Sequence, residues 1–90
     1  MSVSIAEKRR EPRYPGRGTV LVHSENPSVR DIRGKLLDVS ASGFRMLHDC
    51  AALTAGQFVE FSHVEAKGRA RVVWTRILAE AVESGFVLSD

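Results

Sequence analysis

Ninety residues with a hydrophobic share of 43% make one small domain with an ordinary apolar core, which excludes global disorder and leaves little room for a buried catalytic cavity. The single cysteine, Cys50, excludes an internal disulfide, and no apolar run reaches the roughly 18 residues that a membrane helix needs. The net charge of +2 divides unevenly: Lys8, Arg9, Arg10, Arg13 and Arg17 against Glu7 and Glu11 give +3 up to Arg17, and the rest carries −1, so positive potential gathers near the N-terminus, where it attracts anions.

Residues 1–17 lack apolar periodicity and contain Pro12, Pro15 and Gly16, which predicts a flexible, extended arm ahead of a β domain over residues 18–90. The start, Met1 to Ala6, is too short and polar for the apolar core of a signal peptide, so a cytoplasmic protein without membrane insertion is expected. Thr19 to His23 reads as a strand, and Ser24 to Ser28 as a turn. Val29 to Val39 is a longer strand with Gly34 as its bulge. Phe44 to His48 follows the Asp38–Gly43 turn. Asp49 to Gln57 has helical character but is too short for an independent helix. Phe58 to Val64 alternates, Glu65 to Gly68 reads as a hairpin turn, and Arg69 to Ile77 alternates strongly. In that last run Ala70, Val72 and Trp74 oppose Arg69, Arg71, Val73 and Thr75, which predicts Trp74 in the core, with a place beside a ligand as the alternative if the barrel end is open. Phe86 to Leu88 is the final strand. Short strands punctuated by turns predict an all-β antiparallel barrel or sandwich.

Two motifs carry chemistry. Arg9-Arg10-Glu11-Pro12-Arg13 places three guanidinium groups within five residues of the arm. Asp38-Val39-Ser40-Ala41-Ser42-Gly43 places a carboxylate, two hydroxyls and a glycine where one strand ends and the next begins. Arginine forks match phosphate oxygens and the O6/N7 edge of guanine, and a carboxylate accepts the donors on guanine's opposite edge. Asp38 and Ser40 stand two apart on one strand end and so share a face. Gly43 permits a positive φ or a close backbone approach. Taken alone, the arginine run reads as a solvated tail and the second motif as a turn capped by short polar side chains. In sequence, with strands on both sides, they read as a receptor for an anionic guanine nucleotide. Other groups carry less. His48 and Cys50 lack the further ligands of a zinc site, so no metal or cofactor is expected. Arg45 reads as a solvated strand residue, with an approach to phosphate as the alternative. Without a nucleophile–base pair, no enzyme is expected.

The order R-x-x-x-R … D-x-S-x-x-G resembles the PilZ domain, the bacterial receptor module for cyclic di-GMP. Gly56 to Phe61, Ala70 to Trp74 and Gly85 to Leu88 are similar to later strands of that family. The resemblance implies a six-stranded antiparallel PilZ-like barrel preceded by the arm. Many members carry a C-terminal helix, which is expected to be absent here because the chain stops at Asp90, just after the last strand. The resemblance also implies cyclic di-GMP as ligand, with Arg9 and Arg13 on phosphate and guanine, Lys8 and Arg10 as helpers, and Asp38, Ser40, Ser42 and Gly43 completing the site. A basic residue before the first arginine, here Lys8, is similar to receptors for a stacked ligand dimer, which implies two molecules per chain. An effector protein in motility, adhesion or exopolysaccharide control would read the bound state. Two alternatives remain: a small nucleic-acid-binding barrel, and an adaptor that binds no ligand. The slightly acidic barrel and an aromatic share of 7% count against the first, since few stacking platforms are offered. The intact motifs count against the second, and no nucleic acid partner is expected.

Overall fold

The computed structural model describes residues 11–89, and Lys8, Arg9 and Arg10 lie outside them. Among the described residues seven strands follow in chain order: β1 (Tyr14–Pro15), β2 (Thr19–Ser24), β3 (Ile32–Ser40), β4 (Gly43–His48), β5 (Phe58–His63), β6 (Ala66–Ile77) and β7 (Val82–Ser89). Every pairing is antiparallel, and the order β3-β2-β5-β6-β7-β4 closes on itself through β3 and β4. The result is the expected six-stranded barrel, with β1 as one outer strand added to β3. Closure leaves no long unpaired sheet edge.

Alternation along the strands fills the interior. Val20, Val22, Ile32, Leu36, Phe44, Met46, Val59, Phe61, Ala70, Val72 and Phe86 point inward and are buried. Phe44 stacks on Phe86 with ring centroids 4.5 Å apart and tilts against Phe61 at 4.8 Å. Each of the larger of these, from valine to phenylalanine, contributes about 1.5–3 kcal/mol relative to exposure. The segment with helical character, residues 49–57, forms turns, closed by the Leu53 amide donating to the Cys50 carbonyl at 3.2 Å. A segment this short does not repay helix nucleation; instead it drives Leu53, fully buried, into the core.

Three local expectations are corrected. The β3 bulge falls at Leu37 rather than Gly34, which pairs in register with Val20. A Cβ at Gly34 would collide with the Leu47 carbonyl oxygen, so glycine there serves the close approach of β4. The β5–β6 turn is Val64–Glu65, with His63 opposite Ala66, so Ala66 to Gly68 belong to β6. The third correction matters most. A bulge at Val73 resets the alternation of β6, leaving Trp74 opposite Gly85 and Thr75 opposite Ser84. Trp74 therefore lies on the outer face instead of in the core, and Thr75 turns inward.

Thr75 joins a buried polar chain. The Cys50 amide donates to His48 Nδ1 at 3.0 Å, which puts the ring proton on Nε2. Nε2–H then donates to Ser84 Oγ at 2.7 Å, Ser84 to Thr75 Oγ1 at 2.6 Å, and Thr75 to the Leu53 carbonyl at 2.7 Å. Every hydroxyl proton in the chain has one destination. Burial holds the His48 pKa below its ordinary value of 6.5. His48 and Cys50 thus have structural roles.

Candidate functional site

The Asp38 motif lies on the hairpin between β3 and β4. Its turn is two residues, Ala41 and Ser42, flanked by the Ser40–Gly43 pair. Counting back across it sets Asp38 opposite Arg45. Arg45 stands opposite Gly85 on β7, and Gly85 opposite Trp74 on β6. Asp38, Arg45, Gly85 and Trp74 therefore form one row across four strands of the outer face.

Asp38 is 8% exposed and is held by two arginines. Arg13 Nη1 donates to Oδ1 at 2.9 Å. Arg45 Nε donates to Oδ1 at 3.1 Å and Oδ2 at 2.9 Å, and Arg45 Nη2 also donates to Oδ2. The third nitrogen of Arg45, Nη1, donates to Glu83 Oε2 at 3.0 Å. Arg76 meets the other Glu83 oxygen through Nη2 at 3.0 Å and Nε at 3.2 Å. Charge thus alternates from Arg13 through Asp38, Arg45 and Glu83 to Arg76. The hydrogen bond to Asp38, aided by the charges of Asp38 and Glu83, raises the Arg45 pKa against the cost of burial.

The hydroxyls sit beside this chain. Ser42 Oγ donates to Glu11 Oε1 at 2.6 Å, and that bond holds the Glu11 pKa below its ordinary value. Ser40 Oγ donates to the Gly43 carbonyl at 3.5 Å. Gly43 is not at positive φ; a Cβ there would collide with the Phe86 carbonyl oxygen, so β7 needs glycine to approach β4. Gly85 does the same for an aromatic ring. A Cβ on it would lie 2.5 Å from Trp74 Cε2 and Nε1, so the indole rests directly on the glycine backbone. Arg13, Ser42, Gly43, Val73, Trp74, Gly85, Phe86 and Val87 line a shallow groove of 220 Å³. A larger groove of 490 Å³ lies between Leu21, His23, Asp31, Arg33, Glu60 and Ser62, and holds neither motif. The 220 Å³ groove is the candidate site because Arg13 of the first motif and Ser42 and Gly43 of the second line it, with Asp38 bonded to Arg13 beside it.

Of the residues singled out in the sequence, Arg13, Asp38, Ser40, Ser42 and Gly43 are brought together, while Lys8, Arg9 and Arg10 lie outside the described residues. Reading the sequence missed Arg45 as a partner of Asp38, although the two-residue turn carries that signal. It also missed Glu83, Gly85 and an outward Trp74, which long-range register delivers.

Among the described residues no group of three or more His, Cys, Asp or Glu side chains is placed to hold a metal ion. No helix among them is long and apolar enough to cross a membrane. No curated protein matches the chain in a sequence search. The family model of the PilZ domain matches residues 7–89, nearly the whole chain, and takes in both motifs and all seven strands. The chain belongs to the PilZ domain family.

Proposed function

We propose that this domain is a non-enzymatic cytoplasmic receptor for cyclic di-GMP that signals to an effector protein. The observation that carries the reading is the meeting of Arg13, Ser42, Gly43 and Trp74 in one groove beside Asp38, from segments far apart in the chain. A bis-guanine, bis-phosphate ligand asks for that mixture. Asp38 accepts the N1 and N2 protons of guanine, while Ser40 and Ser42 supply hydroxyls at the turn. Trp74 offers a flat face for a base. Along the chain through Asp38 the charges of Arg13, Arg45 and Arg76 are offset by Asp38, Glu83 and Glu11, while Arg71, exposed and opposite Val87 of the groove, adds a positive charge beside it. Lys8, Arg9 and Arg10 add to the attraction for phosphate, and Arg13, once released from Asp38, makes four positive groups with them. Two ligand molecules carry four phosphates, so the domain takes two per chain. The part of the arm ahead of β1 orders over the ligand, and the effector binds the closed arrangement more tightly than the open one.

Calorimetric titration with cyclic di-GMP in excess RNA tests the reading. The expected result is saturable binding with an endpoint of two per chain, and Lys8→Leu should move it toward one. An absence of binding heat would reject the receptor reading. An endpoint of one for fully active protein would reject the paired ligand alone.

A further inference from the structure

We infer that Arg45, which lies outside both motifs, is a positioning residue for guanine readout: anchored from behind by Glu83, it fixes the direction of the Asp38 carboxylate. The inference rests on the functional reading above and deepens it. A carboxylate at the edge of an open groove can rotate, and a rotated one presents its lone pairs away from a base. Arg45 removes that freedom by donating two nitrogens, Nε and Nη2, to the Asp38 carboxylate. Its remaining nitrogen is held by Glu83 at 3.0 Å, so the guanidinium plane is itself fixed. The Glu83 side chain is 7% exposed and also accepts from Arg76, which makes it a firm anchor. Swinging Arg45 away would take a partner from two nearly buried carboxylates at once.

Arg13 contrasts with this. It gives Asp38 a single donor, Nη1, and its side chain is 48% exposed. Arg13 and Arg45 together place three N–H donors on the roughly four lone-pair sites of Asp38, with the Arg45 Nε–H shared between both oxygens, so a guanine edge that brings two N–H groups must displace one donor. Arg13 is the one that can leave. Its place on Oδ1 passes to a guanine N–H, and the freed guanidinium turns to phosphate while Arg45 stays. The two arginines on one carboxylate thus play different parts, holder and exchanger.

The test compares wild type, Arg45→Lys, Asp38→Ala and the double variant by calorimetry with cyclic di-GMP and cyclic di-AMP. Lysine keeps the charge but cannot span Asp38 and Glu83 with one planar fork. Arg45→Lys should weaken cyclic di-GMP about tenfold, the scale of a charge-assisted hydrogen bond, and leave any cyclic di-AMP binding unchanged. In the Asp38→Ala background it should add nothing. Glu83→Gln, which touches only the arginines, should weaken guanine binding in the same direction. Wild-type affinity for Arg45→Lys, equal loss for both ligands, or losses that multiply with Asp38→Ala would each overturn the inference. A readout without ligand is the Arg45 Nε–H resonance, which should exchange slowly in wild type and quickly in Glu83→Gln. Fast exchange in wild type overturns the fixed Asp38–Arg45–Glu83 arrangement itself. Failure of wild type to bind cyclic di-GMP overturns the receptor reading, and the guanine role with it, whatever the resonance shows.

Discussion

Trp74 and Gly85 work as a pair at the level of single residues. The indole lies where any side chain on residue 85 would be, so only glycine lets an aromatic face lie flat beside the Asp38 row. Because Trp74 is half-buried on the outer face, Trp74→Ala should leave the barrel folded while weakening cyclic di-GMP by about 1–3 kcal/mol, the range for one stacked base. Trp74 is the sole tryptophan, so its fluorescence reports the same event, and ligand should quench it. Unchanged emission at saturation would remove the indole from the site. Gly43 makes the opposite case. Its requirement comes from the Phe86 carbonyl of the neighbouring strand, so Gly43→Ala must push β4 from β7. The expected cost is about 1–3 kcal/mol of stability, read from denaturant unfolding. A neutral result would mean that the two strands part without strain.

Among strands, regular alternation was the legible part and its interruptions were not. Val20 with Val22, and Ala70 with Val72, declare their inward face through a period of two, and the structure buries them. A bulge adds one residue without any compositional mark, and everything beyond it changes face. Val73 is such a residue, which is why alternation assigned Trp74 to the core and Thr75 to solvent, the reverse of what is found. The site divides in the same way. Arg13, Asp38, Ser40, Ser42 and Gly43 belong to short contiguous strings and were readable; Arg45 was recoverable by counting across a two-residue turn. Glu83 and Gly85 come to the site through β4–β7 pairing, which no local pattern sets. Thr75→Val distinguishes the two assignments. On an outer face the change would be near neutral, since valine suits strands. In the buried chain it strips a partner from Ser84 and from the Leu53 carbonyl, so about 1–3 kcal/mol of stability should be lost in urea unfolding.

Across the whole molecule, the same buried chain makes stability depend on pH, because His48 joins the end of β4 to β7, β6 and the 49–57 turns only while neutral. Its Nδ1 accepts from the Cys50 amide; a second ring proton would face that N–H. Burial lowers its pKa, and burial also lowers that of His63, packed on Phe44 and Phe61. For a histidine with a depressed folded pKa, the unfolded chain binds more protons between the folded value and the ordinary 6.5. Stability is therefore full above about 6.5 and falls as pH drops below it. His23 runs the other way, since its hydrogen bond to Asp31 at 2.7 Å raises its pKa and contributes stability that is lost as pH rises through that raised value. That pair is exposed and screened by solvent, so its effect is the smaller. The carboxylates of Glu11, Glu25 and Asp49, all with lowered pKa values, begin to lose their contribution only at more acidic pH. The thermal midpoint should thus drop between about pH 7 and pH 5. His48→Asn keeps an oxygen near Nδ1 to accept the Cys50 amide but carries no titrating group. It should lower the midpoint at pH 7.5, because Ser84 loses its donor, and flatten the slope toward acid. An acid slope as steep as wild type in His48→Asn would show that another group takes up the proton.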